Sequence, residues 1–283
     1  MIVQFLSSYG RDIARMTAWL VLLAVIFVPL EHFFAVKPQR FFRKGLLQDV
    51  GFYFISSFVP GLLMAVPLGV AAYAAHSFMP YRVLAFTEAL PVWQRVVAAF
   101  LVGEVGFYWG HRWTHQIPFL WRFHSVHHQP EKVYFLVSAR AHPVDNAFTR
   151  ICGLVPVYIL GLANPLTPSG SIIPALVMVV ATMWGFFIHA NLKVRLGPFE
   201  WLLATPGFHH WHHTLSDHKD HNFASMVPLM DWLFGTLYLP RKEWPAAYGT
   251  ETALPSTLGA LMLYPLKPGP AAPETADQVS APL

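Results

Sequence analysis

The chain has one cysteine, Cys152, in 283 residues. A lone thiol excludes a disulfide framework, Cys-ligated zinc and Cys-bound iron–sulfur clusters, because each needs several cysteines. Metal chemistry here must use nitrogen and oxygen. Charge is scarce as well: Asp, Glu, Lys and Arg are 12% of residues, about half the share of an ordinary soluble domain. A water-soluble fold is therefore disfavoured. The 55% hydrophobic content, with 23 Phe and 10 Trp, suits a bilayer protein whose indole rings sit at the headgroup level. The sequence contains neither a Gly-x-Gly-x-x-Gly dinucleotide fingerprint nor a His-Glu-x-x-His zinc motif. The basic residues behind the net charge of +4 lie singly beside apolar runs, which marks membrane topology and not nucleic-acid binding. What the chain has in excess is histidine, with 15 copies.

A bilayer span takes about 20 mainly apolar residues, and four regions qualify. They are residues 16–36, 50–81, 93–110 and 151–192. The second is too long for one upright span and carries Pro60 and Pro67, so either a kinked crossing or a re-entrant pair is expected. In the fourth, the Asn164–Gly170 cluster of turn residues predicts a helical hairpin. Lys37, Arg40, Arg43 and Lys44, with Arg112, Arg122, Lys132 and Arg140, lie in two segments that share one face, which the positive-inside rule makes cytoplasmic. A single crossing by the second region then gives five spans with the N-terminus outside. A signal peptide is not expected, since the first apolar run has no small-residue cleavage site. The expected organisation is an N-terminal transmembrane region over 1–92, a catalytic region over 93–240 and a C-terminal segment over 241–283, its end from 268 disordered.

The histidines are placed at helical spacing. His111 and His115 lie about 40° apart on one helical face, and His124, His127 and His128 fall within about 100° on a second. His209, His212 and His213 repeat the i, i+3, i+4 pattern, while His210 points away. His142 precedes the fourth region, and His189 lies where the hairpin returns to the basic face. Any one of these alone reads as a solvated or interfacial side chain. Ten at one membrane boundary read as metal ligands, since neutral imidazole suits iron, zinc, copper and nickel. They could fill most of about twelve positions around two six-coordinate ions. A dinuclear centre is expected, and nitrogen ligation alone leaves the metal open.

The order His-x-x-x-His, His-x-x-His-His, Arg-x-His-Pro, a lone His after a hairpin and a last His-x-x-His-His resembles the integral-membrane fatty acid hydroxylase and sterol desaturase superfamily. The resemblance covers roughly residues 95–240, with further agreement at Thr205–His209 and at Asp231–Thr236. The chain departs from it at Asn222-Phe223-Ala224, where many members have Asn-Tyr-Gly. The resemblance implies an all-α integral membrane protein: a small transmembrane helical bundle under a cytoplasmic histidine-rich cap that holds a dinuclear, non-haem di-iron site. By motif matching the ligands are His111, His115, His124, His127, His128, His142, His189, His209, His212 and His213. Zinc is a possible substitute in such a site.

Reduced iron with O2 can attack an unactivated C–H bond, which redox-inert zinc cannot. The two electrons needed must come from an external cytochrome, ferredoxin or reductase, as no reductase motif occurs in the chain. Asp145 is spaced to hold the outer nitrogen of His142. Glu104, two turns before His111, is an intramembrane carboxylate and hence a functional candidate, with Tyr108 at i+4 as its expected hydrogen-bond partner. The expected reaction is hydroxylation of a membrane lipid entering sideways from the bilayer, with desaturation as the near alternative. A zinc-dependent lipid hydrolase or a divalent-metal transporter is the reading from another class. Transporters, however, place ligands at the membrane midplane.

Overall fold

The computed structural model describes residues 2–163, 168–215, 217–240 and 242–267. Helices dominate. Long apolar runs with few glycine breaks satisfy their backbone groups internally, as a bilayer demands. Helix α1 spans Ile2–Phe33 and α2 spans Leu46–Phe78. Helices α3 (Tyr81–Ala89) and α4 (Val92–Gln116) meet at a 117° bend. Among the described residues there is no strand, only one antiparallel bridge between Thr214 and Tyr248.

Among the described residues, three helical stretches are long and apolar enough to cross a membrane: Tyr9–Phe33, Leu46–Phe78 and Ile172–His189. The bent α3–α4 pair passes only when taken together. Helix α2 runs through Pro60 and Pro67 unbroken, so the second apolar region is one helix and not a re-entrant pair. At 33 residues it is about 50 Å long, well beyond a bilayer core of about 30 Å, which a long helix accommodates by tilting. Val25, Leu62 and Val66 on α1 and α2 stand more than half exposed, as lipid-facing side chains do. The expected hairpin falls on α6 (Pro143–Ile159) and α7 (Pro168–His189); of the two, α7 alone contains a stretch long and apolar enough to cross a membrane, and residues 164–167 of the expected turn lie outside the described residues. So does the tail from 268.

The short helices of the histidine-rich region start on local signals. Helices α5 (Pro118–His128), α6 and α8 (Pro206–His212) each carry proline in the first turn, where its missing N–H costs nothing. Thr205 caps α8 by accepting from the Phe208 N–H. Two smaller helices, α9 (Leu229–Leu233) and α10 (Leu258–Leu263), complete the region. Helix α6 packs against α4 and α2. Its seam with α4 is tight, for a Cβ on Gly106 would stand 2.1 Å from the Cys152 carbonyl oxygen.

Candidate metal centre

His111 and His115 sit at the end of α4, and His124, His127 and His128 on one side of α5. His189 ends α7, and His209, His212 and His213 come from α8 and the residue after it. These nine imidazoles converge in two groups. His111, His115, His124, His128 and His212 form one, and His127, His189, His209 and His213 the other, the nitrogens within each group lying within 4.8 Å of one another. The groups adjoin where His128 stacks on His213, with ring centroids 4.5 Å apart.

The tenth histidine stands apart. His142 caps α6, its Nδ1 accepting from the Val144 N–H at 3.2 Å, and its Nε2 donates to the Met262 carbonyl at 3.1 Å. Both ring nitrogens are engaged by neighbours, and the structure does not bring His142 to either group. His210, set off the ligand face by helical spacing, bonds with the Tyr248 hydroxyl and the Ala190 carbonyl. His218 stacks on Tyr238 with centroids 3.8 Å apart, outside both groups.

Hydrogen bonds behind the rings fix which nitrogen carries the proton. His111 Nδ1 donates to the Phe223 carbonyl at 2.7 Å, His127 Nδ1 to Arg140, His189 Nδ1 to Gly185 and His212 Nδ1 to His221. His124 Nδ1 donates to both oxygens of Asp145, at 3.1 and 3.0 Å, and His115 Nδ1 to Asp220. Carbonyl and carboxylate oxygens only accept, so the proton sits on Nδ1 and a lone pair on Nε2. Yet Nε2 of His111 lies 3.1 Å from Nε2 of His124, and the same distance separates His127 from His189. Such contacts place lone pair against lone pair. They repel unless a cation accepts both. Nε2 of His115 and of His212 are likewise buried with no hydrogen-bond partner. The donor set therefore fits a metal of nitrogen-binding type.

Burial keeps the rings neutral. His127, His128, His209, His212 and His213 are all held well below the ordinary value of 6.5, first by desolvation and then by neighbouring imidazoles. A metal can then bind without displacing protons from the ring nitrogens that face it.

The three expected supporting residues have other partners than the sequence suggests. Asp145 holds His124, not His142. Glu104 accepts from the Ser225 hydroxyl and from the N–H groups of Met226 and Val227 at 3.0 and 2.9 Å. It thereby ties the segment after the last histidine box to α4, and it does not meet Tyr108. Tyr108 instead hydrogen-bonds Thr236 at 2.7 Å and accepts from Arg112. Its i+4 spacing from Glu104 offered a local partner, but residue 236 supplied a better-placed one. Asn222, with φ +61°, uses its side chain to join Phe208 and Tyr238. Asp231 accepts from the Phe223 and Ala224 N–H groups, which fixes the carbonyl on which His111 rests.

Beneath the imidazoles lies a cavity of about 480 Å³ within the bundle. It reaches His111, His124, His127, His189 and His209, and its walls come from α1, α2, α4, α6 and α7.

Residues 96–236 match the fatty acid hydroxylase family, and the match contains all nine converging histidines. The chain belongs to the fatty acid hydroxylase family. Its curated relatives include the ornithine lipid hydroxylase of Rhizobium tropici, 29% identical over 62% of this chain and 50% of that protein. An alkylglycerol monooxygenase of Xenopus tropicalis is 30% identical over 51% of this chain and 30% of that protein. Methylsterol monooxygenase 2-2 of Arabidopsis thaliana is 31% identical over 60% of this chain and 63% of that protein. The chain thus spans about half the length of the first of these fatty acid hydroxylase relatives and under a third of the second. No solved structure matches it.

Proposed function

We propose that this fatty acid hydroxylase family member is a multi-pass membrane di-iron oxygenase that hydroxylates a C–H bond of a lipid. It would use O2 and two electrons from a separate cytochrome, ferredoxin or reductase. The observation that carries the reading is the convergence of nine imidazoles, six of them with an Nε2 lone pair left by an Nδ1 hydrogen bond, at the head of an apolar cavity. The relatives' names support a lipid as the substrate: ornithine lipid, alkylglycerol and methylsterol.

His111, His115, His124, His128 and His212 would hold one ion, and His127, His189, His209 and His213 the other. Iron in these positions supplies the activation of O2 that the side chains lack. The chain's own groups do the rest. Asp145, Asp220 and four backbone carbonyls keep Nδ1 protonated and the ring aimed inward in six of the nine, as outer partners of metal-bound histidines do. The cavity takes up the hydrocarbon of the lipid, excludes water and delivers a C–H bond to the imidazoles. The basic residues beside the apolar runs support a cytoplasmic cap.

A zinc hydrolase needs a carboxylate free to act as base. The carboxylates lining the cavity are Glu104 and Asp145, and both are committed to hydrogen bonds within the protein. The test is metal analysis of gently purified protein, with mass spectrometry of lipids incubated with reductant and O2. About two irons per chain and a gain of one oxygen atom would support the reading. Stoichiometric zinc without oxygen uptake would end it, and a loss of two hydrogens would convert it to desaturation.

A further inference from the structure

Most of the cavity wall is hydrocarbon, from side chains such as Phe100, Leu154, Val157, Val177 and Met178. Its polar groups are mostly satisfied within the protein. The Ser56 hydroxyl donates to the Ala141 carbonyl, Ser57 to Tyr53 and Thr149 to Asp145 and Asn146. Glu104 and Asp145 are fully used, as described above.

Two groups on α6 break this pattern. Arg150 and Asn146 are one helical turn apart on the same face, and both line the cavity. Neither side chain has a hydrogen-bond or ion-pair partner among the described residues. Arg140, by contrast, is paired with Asp49, and Arg195 with Glu200. An unpaired guanidinium enclosed in apolar surroundings is strongly unfavourable unless something delivers an anion to it. Helical side chains lean toward the helix N-terminus, and Asp145, one residue before Asn146, touches His124. Arg150 is about 7.5 Å further along the axis, so both unused donor groups face the part of the cavity nearest the imidazoles.

We propose that Arg150 and Asn146 form a subsite for the anionic headgroup of the lipid substrate, a carboxylate or a phosphate. The guanidinium fork takes two of its oxygens, and the Asn146 carboxamide donates a further hydrogen bond. The hydrocarbon of the same lipid occupies the apolar remainder of the cavity. This inference rests on the lipid-oxygenase reading, but binding can be measured without turnover.

The test uses the full chain in nanodiscs of uncharged phosphatidylcholine at about pH 8.5, where a carboxylic acid is largely ionised. Oleic acid, dioleoylphosphatidic acid and uncharged monooleoylglycerol are the probes, and retention is read by native mass spectrometry. At least one anionic probe should bind roughly tenfold or more tightly than monooleoylglycerol. The anion that binds better identifies the headgroup as carboxylate or phosphate. R150Q should abolish the preference, R150K should keep part of it, and N146A should reduce it. Equal binding of all three probes by the unsubstituted protein would overturn the subsite, as would an undiminished preference in R150Q. Should R150Q fail to fold, the probe comparison on the unsubstituted protein and R150K decide. Iron and oxygen uptake are measured on the same samples. Anion preference without iron would keep the subsite and remove the oxygenase reading, whereas iron without anion preference would do the reverse.

Discussion

His111 and His124 meet Nε2 to Nε2 at 3.1 Å while each ring gives its Nδ1 proton to an oxygen on its far side, Phe223 for one and Asp145 for the other. Neither nitrogen in the contact has a proton to share. The pair is stable only with a positive ion between the two lone pairs, so folding and metal binding are linked. Chelation should lower the thermal midpoint of the purified protein, and restoring iron should raise it. An unchanged midpoint on complete iron removal would refute the link.

His142 separates the motif reading from the structural one. As an α6 cap it is replaceable by asparagine, a favoured cap residue. H142N should retain full iron content and activity within a few-fold, while H142A should cost about 1 kcal/mol of stability. Removal of a clustered histidine, as in H128A, should lower iron content and cut product formation at least about 100-fold. Iron loss in H142N equal to that in H128A would return His142 to the ligand set.

Asp145 and Asp220 each orient a ring, but in different surroundings. Asp145 is buried and grips His124 with both oxygens, whereas the Asp220 side chain is 56% exposed. D145N should weaken metal affinity or activity about 10- to 100-fold, and D220N clearly less. Metal content against chelator concentration measures both. Equal losses would mean that solvent exposure does not weaken the outer partner.

Acid should release the metal. For His127, His128, His209, His212 and His213 the folded-state pKa lies well below the unfolded 6.5. Their contribution to stability is complete above about pH 6.5 and is lost as pH falls further, because the unfolded chain binds protons that the folded chain excludes. Thermal midpoint and iron retention should both fall from pH 6.5 downward and stay flat between about pH 7 and 8.5. A flat profile to pH 5 would contradict buried, neutral rings.

The α4–α6 seam predicts a contrast between glycines. An added Cβ at Gly106 would collide with backbone at Cys152, which cannot rotate away. G106A should cost about 1–3 kcal/mol or more, as overpacking does. Gly259 in α10 has open space around its Cβ position, so G259A should be neutral or stabilise by up to about 1 kcal/mol. Denaturation midpoints of the two variants in the same detergent check this.

Much of the site was legible because helical periodicity is local. His124, His127 and His128 could be set on one face from spacing alone, and His210 off the face of its neighbours. The apolar runs located the long helices for the same reason. Long-range partners were not legible. His142 looks like a ligand until Met262, 120 residues on, supplies a carbonyl. Tyr108 looks like the partner of Glu104 until Thr236 arrives. Asp145 stood at a promising distance along the chain, but the ring it serves comes from another helix. Arg150 drew no notice in sequence because its significance is an absent partner, which only the packed structure reveals.

The bond network of Glu104 bears on how lipid preference can change in this chain. One carboxylate joins a membrane helix to the backbone just past Ala224, so reshaping the channel along α4 would pull on the residues that seat His111. Val177 and Met178, on the α7 wall, carry no such tether. Evolution or an engineer seeking a different hydrocarbon fit has its free hand there, where bulk can be traded without disturbing the ring cage above.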